Sequence, residues 1–126
     1  MTIYDELAKL RTLREVGTAL AQYTSTLKGG EFQKRGQEWV YYPANFVVFR
    51  VQWKRSQDIV LTLRGSPAEF DTAEELPLRR ARATYSRCTV AHAGHLRAAA
   101  LYIARAYELW RRGRSRSLKR PVTTEL

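Results

Sequence analysis

The feature that most constrains this chain is a change of hydrophobic period at a pair of glycines. Before them, Ile3, Leu7, Leu10, Leu13, Val16, Leu20, Tyr23 and Leu27 recur at steps of three and four. That spacing stacks side chains along one stripe of an α-helix. Thr2, with Asp5 three residues later, resembles a capping box, and Lys28-Gly29-Gly30 supplies a stop. The spacing predicts one long N-terminal amphipathic helix.

Beyond the glycines the period becomes two, in WVYY at 39–42, FVVFRVQW at 46–53 and IVLTLR at 59–64. Pro43-Ala44-Asn45 separates the first pair of runs and 54–58 the second, spacings that suit an antiparallel meander. Alternation assigns Val47, Phe49, Val51 and Trp53 to one face, joined by Ile59, Leu61 and Leu63. Phe46, Val48, Arg50, Gln52, Thr62 and Arg64 fall on the other. Gly65-Ser66-Pro67 ends the third run, and AEFDTAEELP reads as a loop or a short helical turn. A fourth strand is predicted from Thr84 to Val90. A second amphipathic helix is predicted over 93–112, burying Leu96, Ala99, Ile103, Ala106, Tyr107 and Trp110. The expected fold is α+β: a long N-terminal helix, an antiparallel three- to four-stranded sheet and a C-terminal amphipathic helix, with both helices on one sheet face. Residues 1–112 form one domain in this reading, and 113–126 a flexible basic tail.

Composition sets the class. The chain has 126 residues, of which 44% are hydrophobic, enough for a core without disulfide or metal staples. Cys88 is the lone cysteine, so no intrachain disulfide can form. The opening MTIYDELAKL carries two acids and no continuous apolar run, unlike a secretory leader. No run approaches the roughly 20 apolar residues that cross a bilayer. The expected location is cytoplasmic, with no membrane partner.

Charge is the functional signal. Twenty-two Lys and Arg against 12 acids give a formal net charge of +10, which favours anionic partners. The excess is uneven: residues 1–27 and 67–90 are each neutral, 28–66 carry +4 and 91–126 carry +6. Arg111, Arg112, Arg114, Arg116, Lys119 and Arg120 place six cations in ten residues without an acid. A phosphate backbone rewards such a cluster through counterion release, and arginine adds bidentate geometry. Arg97 and Arg105 lie on the same helix. Arg50 and Arg64, on the non-core face of adjacent strands, and Lys54 and Arg55 in the connecting turn, complete the candidate nucleic-acid-binding set. Against this stand ordinary readings: a solvated tail that aids solubility, and the mixed polar face of an antiparallel sheet.

Other constellations point to less. Cys88, His92 and His95 share helical offsets, but a closed zinc site needs a fourth ligand, and a turn near Gly94 breaks the geometry. No metal site or other cofactor is therefore expected. Glu69, Asp71, Glu74 and Glu75 form an acidic cluster of the kind that holds Mg²⁺ in nucleases, yet no lysine on adjacent strands accompanies it. A solvated loop is the simpler reading. No phosphate-binding glycine loop or nucleophile elbow occurs. These features together predict no catalytic residues.

The run FVVFRVQWKRSQDIVLTLRGSP, followed by CTVAHAGH and a closing AYELW, resembles a small uncharacterised bacterial domain. That domain is labelled a predicted transport protein and is often joined to restriction-like or DNA-processing modules. The likeness runs from Trp39 to Trp110; the family's Gly-His-Trp-Gly feature is replaced here by Ala91-His92-Ala93-Gly94. The resemblance implies a DNA-associated accessory role and assigns no catalytic residue.

The expectation is thus a non-catalytic nucleic-acid-binding accessory domain. The alternatives are a protein-interaction subunit of a larger assembly, as partner or homo-oligomer, and a small metal-dependent enzyme using His92 and His95. Removing residues 113–126 deletes Arg114, Arg116, Lys119, Arg120 and one acid, Glu125. The fold should survive, while the salt dependence of log K for duplex binding should flatten by about 0.9 for each phosphate that the shortened chain no longer neutralises. Equal binding and equal salt slopes in titrations of the two forms would make this segment a solubility feature.

Overall fold

A computed structural model describes residues 1–123, with side chains described for residues 1–113. Three helices, α1 (Ile3–Leu7), α2 (Arg14–Thr26) and α3 (Leu96–Thr123), accompany six strands: β1 (Gly30–Arg35), β2 (Glu38–Pro43), β3 (Val47–Val51), β4 (Ile59–Arg64), β5 (Arg79–Arg80) and β6 (Tyr85–Val90). The strands form one antiparallel sheet in the order β1-β2-β3-β4-β6-β5. The fold is α+β, and no helix among the described residues is long and apolar enough to cross a membrane.

The expected long N-terminal helix is two helices. The Thr2–Asp5 capping box forms as expected, with each side chain reaching the other's backbone N–H. The first helix then closes on short-range bonds: Lys9 N–H to the Glu6 carbonyl at 3.0 Å and Leu10 N–H to that of Leu7 at 3.1 Å. The Arg11 N–H bonds instead to the Gln57 side chain, 2.8 Å away on the β3–β4 turn. This break does not disturb the stripe, because Leu7, Leu10, Leu13 and Leu20 are all buried. The periodic residues mark the core correctly; they do not require one continuous helix. Gly17 lets α2 lie close, since a Cβ there would sit 2.6 Å from Leu7 Cδ2 and 2.9 Å from Ile59 Cδ1.

The sheet is wider than expected. Of the two additional strands, β5 pairs with the outer edge of β6, and β1, with one inward aromatic residue, Phe32, pairs with β2 through the two-residue turn Gly36-Gln37. Gly36 has φ 63°, the left-handed backbone that tight hairpins favour. The inner face follows the alternation: Trp39 stands opposite Phe49, Phe49 opposite Leu61, and Leu61 opposite Cys88. Phe46 departs from it. Asn45 adopts φ 58°, which rotates the chain before β3, and Phe46 is fully buried against Tyr41, Tyr107 and Trp110. The strand predicted over 84–90 is β6, beginning one residue later.

Helix α3 lies along the inner face and buries Ala98, Ala99, Tyr102, Ile103 and Ala106. The loop before β5 is held to it: the Tyr102 hydroxyl donates to the Leu76 carbonyl at 2.6 Å and accepts from Ala73 N–H at 2.8 Å. The segment expected as a tail, 113–126, coincides with the last part of α3 and the residues after it. The side chains of Arg114, Arg116, Lys119 and Arg120 lie outside the described residues.

Leu13, 1% exposed, sits at the start of α2, where the two N-terminal helices meet the core. Leu13→Ala should destabilise the fold by about 2–5 kcal/mol in urea unfolding. A loss under about 0.5 kcal/mol, the scale of surface substitutions, would contradict this packing.

Candidate polyanion-binding groove

The break after α1 and the two turns, β1–β2 and β3–β4, meet at one end of the sheet. They enclose a groove of about 560 Å³ whose lining includes Glu6, Lys9, Lys34, Arg50, Trp53, Lys54 and Arg55. Five cations thus face one carboxylate. The volume lies in the range of small-ligand pockets.

Glu6 forms the floor. Its Oε1 accepts from Lys34 Nζ at 2.8 Å and from Trp39 Nε1 at 2.6 Å, and its Oε2 accepts from Trp53 Nε1 at 3.4 Å. Burial pushes the Glu6 carboxyl up. The Lys34, Trp39 and Trp53 donors outweigh that cost and hold it below its ordinary value. Glu6 is therefore a structural carboxylate, already matched by three donors from three strands or their ends.

Trp53 forms a wall. Lys9 Nζ lies 4.4 Å and Lys54 Nζ 5.2 Å from its ring centroid, within cation–π range. Arg50 donates to Gln37 Oε1 at 2.6 Å, joining the two turns across the groove. The β3–β4 turn is internally fixed. Gln52 N–H bonds to the Asp58 carbonyl at 2.9 Å and its side chain to Asp58 Oδ1 at 2.6 Å, while Gln57 Nε2 reaches the Trp53 carbonyl at 2.6 Å. With Gln57 also holding Arg11 N–H, the cations are mounted on a braced frame.

The sequence-predicted residues divide. Arg50, Lys54 and Arg55 come together in the groove. Arg64 is at the opposite end of β4 from Ile59, roughly 17 Å along the strand. It approaches the end of α3, where a Cβ on Gly113 would lie 3.4 Å from its guanidinium. Arg97 is exposed on the first turn of α3. Arg105 is engaged by the Glu69 carbonyl at 2.8 Å and by Glu108 at 3.1 Å. Arg111 lies over the Tyr107 ring, and Arg112 is 3.9 Å from Glu108. Among the described residues the set thus falls in separate places: Arg50, Lys54 and Arg55 in the groove at one end of the sheet, and Arg64, Arg111 and Arg112 around residues 108–113 of α3.

Sequence reasoning missed Lys9, Lys34 and Trp53 as site residues. Lys34 was hidden because β1 shows no clear alternation; Arg35-Gly36-Gln37 between two alternating segments was the available turn signal. Lys9 needed the helix break.

Cys88, His92 and His95 do not converge on one point. Cys88 is buried in β6, and burial pushes its thiol up to about 12. His95 Nδ1 accepts from Ala91 N–H at 3.0 Å, and His92 Nδ1 from Gly94 N–H at 3.1 Å. The two imidazoles lie with centroids 3.8 Å apart, and His92 caps the short 3-10 turn Ala93–His95 that precedes α3. Glu69, Asp71, Glu74 and Glu75 all lie at least partly open to solvent.

Compared with protein-family models, with characterised proteins and with solved structures, the chain matches none.

Because Glu6 titrates lower when folded, it stabilises the fold above its ordinary value of 4.5, and that contribution is lost as pH falls through the lowered value. Glu6→Gln should remove this part of the acid dependence and cost about 1–3 kcal/mol at neutral pH, the scale of hydrogen bonds to a charged group. Urea unfolding between pH 3 and 7 would check both, since a tenfold difference in proton affinity between folded and unfolded chains corresponds to roughly 1.4 kcal/mol. An unchanged acid limb in the variant would remove Glu6 from this role.

Proposed function

We propose that this protein is a non-catalytic nucleic-acid-binding accessory domain that holds a phosphate backbone in the groove beside Trp53. The observation carrying this reading is the convergence of Lys9, Lys34, Arg50, Lys54 and Arg55 on one concave surface whose single carboxylate is already bonded to three donors. A cleft lined by one sign of charge focuses its field and gathers counter-ions of the other sign. The fields of cations that share one cleft add, so an anion entering it meets their sum.

The chemistry favours phosphate. Arg50 and Arg55 offer planar forks that match phosphate oxygens, whereas Lys9 and Lys54 are point charges beside an aromatic wall. The groove's size suits a flexible single strand, which can place its backbone among cations and a base near a ring. Arg111, Arg112 and the arginines that follow give a second basic region, to be joined to the first by a longer strand.

The test is fluorescence anisotropy with labelled oligothymidylate at several salt concentrations. Lys9→Gln, Lys54→Gln and Arg55→Gln should each flatten the slope of log K against log salt by about 0.7, the single-strand value per neutralised phosphate. Arg97→Gln, on α3 away from the groove lining, should leave it unchanged. Equal slopes for the groove variants and the parent would overturn the assignment.

A further inference from the structure

Among the described residues, nothing buries the face of the sheet opposite the helices. Its cross-strand rows include Val40–Val48–Thr62–Arg87–Arg79, Arg50–Val60–Thr89 and Arg64–Tyr85, and each of these residues is half-buried or exposed, none buried. On β4, β6 and β5 this face carries Arg64, Arg79 and Arg87 and no carboxylate; Tyr85 stands opposite Arg64, and Glu38 and Tyr42 share the Val40 side of β2. Arg79 and Arg87 stand directly opposite each other, an arrangement that like charges disfavour. Neither makes an ion pair among the described residues. The Nε of Arg87 is enclosed and has no acceptor. Such an N–H loses its hydration without compensation.

We propose that this face docks an acidic amphipathic helix of a partner protein, with Val48, Val60 and Thr62 under its apolar stripe and Arg64, Arg79 and Arg87 meeting its carboxylates. Charge complementarity selects the occupant: on β4, β6 and β5 the face carries Arg64, Arg79 and Arg87 and no anion, and carboxylates would relieve the Arg79–Arg87 repulsion. The middle of this face, at Val48, Val60 and Thr62, holds no ring, which argues against single-stranded nucleic acid there, because sheet surfaces that read it stack bases on aromatic side chains. A helix suits the geometry because the ladder hydrogen bonds of the inner strands are already made. What remains open is a twisted surface of short apolar side chains, the kind that a helix layer covers. The chain's own helices fill only the other side. Apart from Arg50, which also lines the groove, the residues of this surface lie outside the groove lining, so one chain can hold nucleic acid and a protein together.

The experiment is a ¹⁵N–¹H NMR titration of the full chain with three probes. One is a synthetic helical peptide with Leu at i, i+3, i+4 and i+7 and Glu on the flanks; the second replaces each Glu by Lys; the third is oligothymidylate. The acidic peptide should move the amides of Val48, Val60, Thr62 and Arg87 and leave the Trp53 indole unmoved, and the lysine peptide should move neither. Oligothymidylate should do the converse of the acidic peptide. Joint Arg79→Gln and Arg87→Gln replacement should weaken the acidic peptide at least tenfold and leave oligothymidylate affinity intact. No shift on this face with acidic peptide up to about 1 mM, the concentration scale of the weakest specific affinities, would overturn the proposal. So would oligothymidylate moving the face in the peptide's place, or undiminished binding by the double variant. Mapping on the unsubstituted chain keeps the test decisive even if the variant does not fold.

Discussion

The Glu6 carboxylate is the interaction on which the rest of the groove end depends. It is buried, and it receives donors from β1, β2 and the segment after β3. An unpaired carboxylate at such a position would be costly, so its presence commits Lys34, Trp39 and Trp53 to their places. Helix α1 has only five residues, too short to be stable by itself, and is held by tertiary contacts. Its capping box orders one end, and Glu6 ties the other to the sheet. Once α1 is fixed there, Lys9 follows it to the edge of the Trp53 ring.

This anchoring also accounts for the division of the N-terminal segment. A continuous helix from Thr2 to Leu27 would be straight, whereas the chain must place Glu6 among strand donors and then lay Val16, Leu20 and Ala21 against α3 and the sheet. A six-residue connection, with Leu10 and Leu13 buried within it, resolves the conflict. The hydrophobic period made the buried set legible, since helix and connection place their leucines in the same core. The break was illegible because it depends on Gln57, which lies 46 residues away from Arg11 in sequence. Phe46 carries the same lesson: strict alternation assigned it outward, and a single left-handed residue before it turned it into the aromatic cluster with Tyr41 and Trp110. Alternation within β3, β4 and β6 was otherwise sufficient, because those strands have apolar residues at every inward step except Ser86. Ser86 is satisfied by its 2.6 Å bond to the Gly65 carbonyl.

The candidate site was legible as charge and not as shape. Segment totals located the excess in the strand region and the last helix, and Arg50, Lys54 and Arg55 do share a surface. The totals could not separate cations free to act from those already engaged. Arg105 and Arg112 both meet Glu108, and Arg105 also donates to a loop carbonyl, so their charge contributes less to an incoming anion than their number implies. Conversely, the neutral total of residues 1–27 concealed Lys9, because Glu6 on the same segment is turned inward to indoles and Lys34. A neutral segment can present a cation to solvent when its acid is engaged in the interior.

The same distinction operates inside the groove. Lys34 is bonded to Glu6 and stands near Trp39, so an anion entering the groove meets it as half of a neutral pair. Among the described residues Lys9, Lys54 and Arg55 form no ion pair, and Arg50 is held by a neutral amide. The net attraction is therefore displaced from the Glu6 floor toward the β3–β4 turn. That turn is also the best-braced part of the rim, fixed through Gln52, Asp58 and Gln57. Bracing matters because ordering a mobile cation on binding costs about 0.5–1.5 kcal/mol per immobilised side chain, a cost reduced where the frame is already set. Field and rigidity thus coincide at residues 50–58. The hairpin tip supplies the opposing wall through Gln37, which orients Arg50 without cancelling its charge.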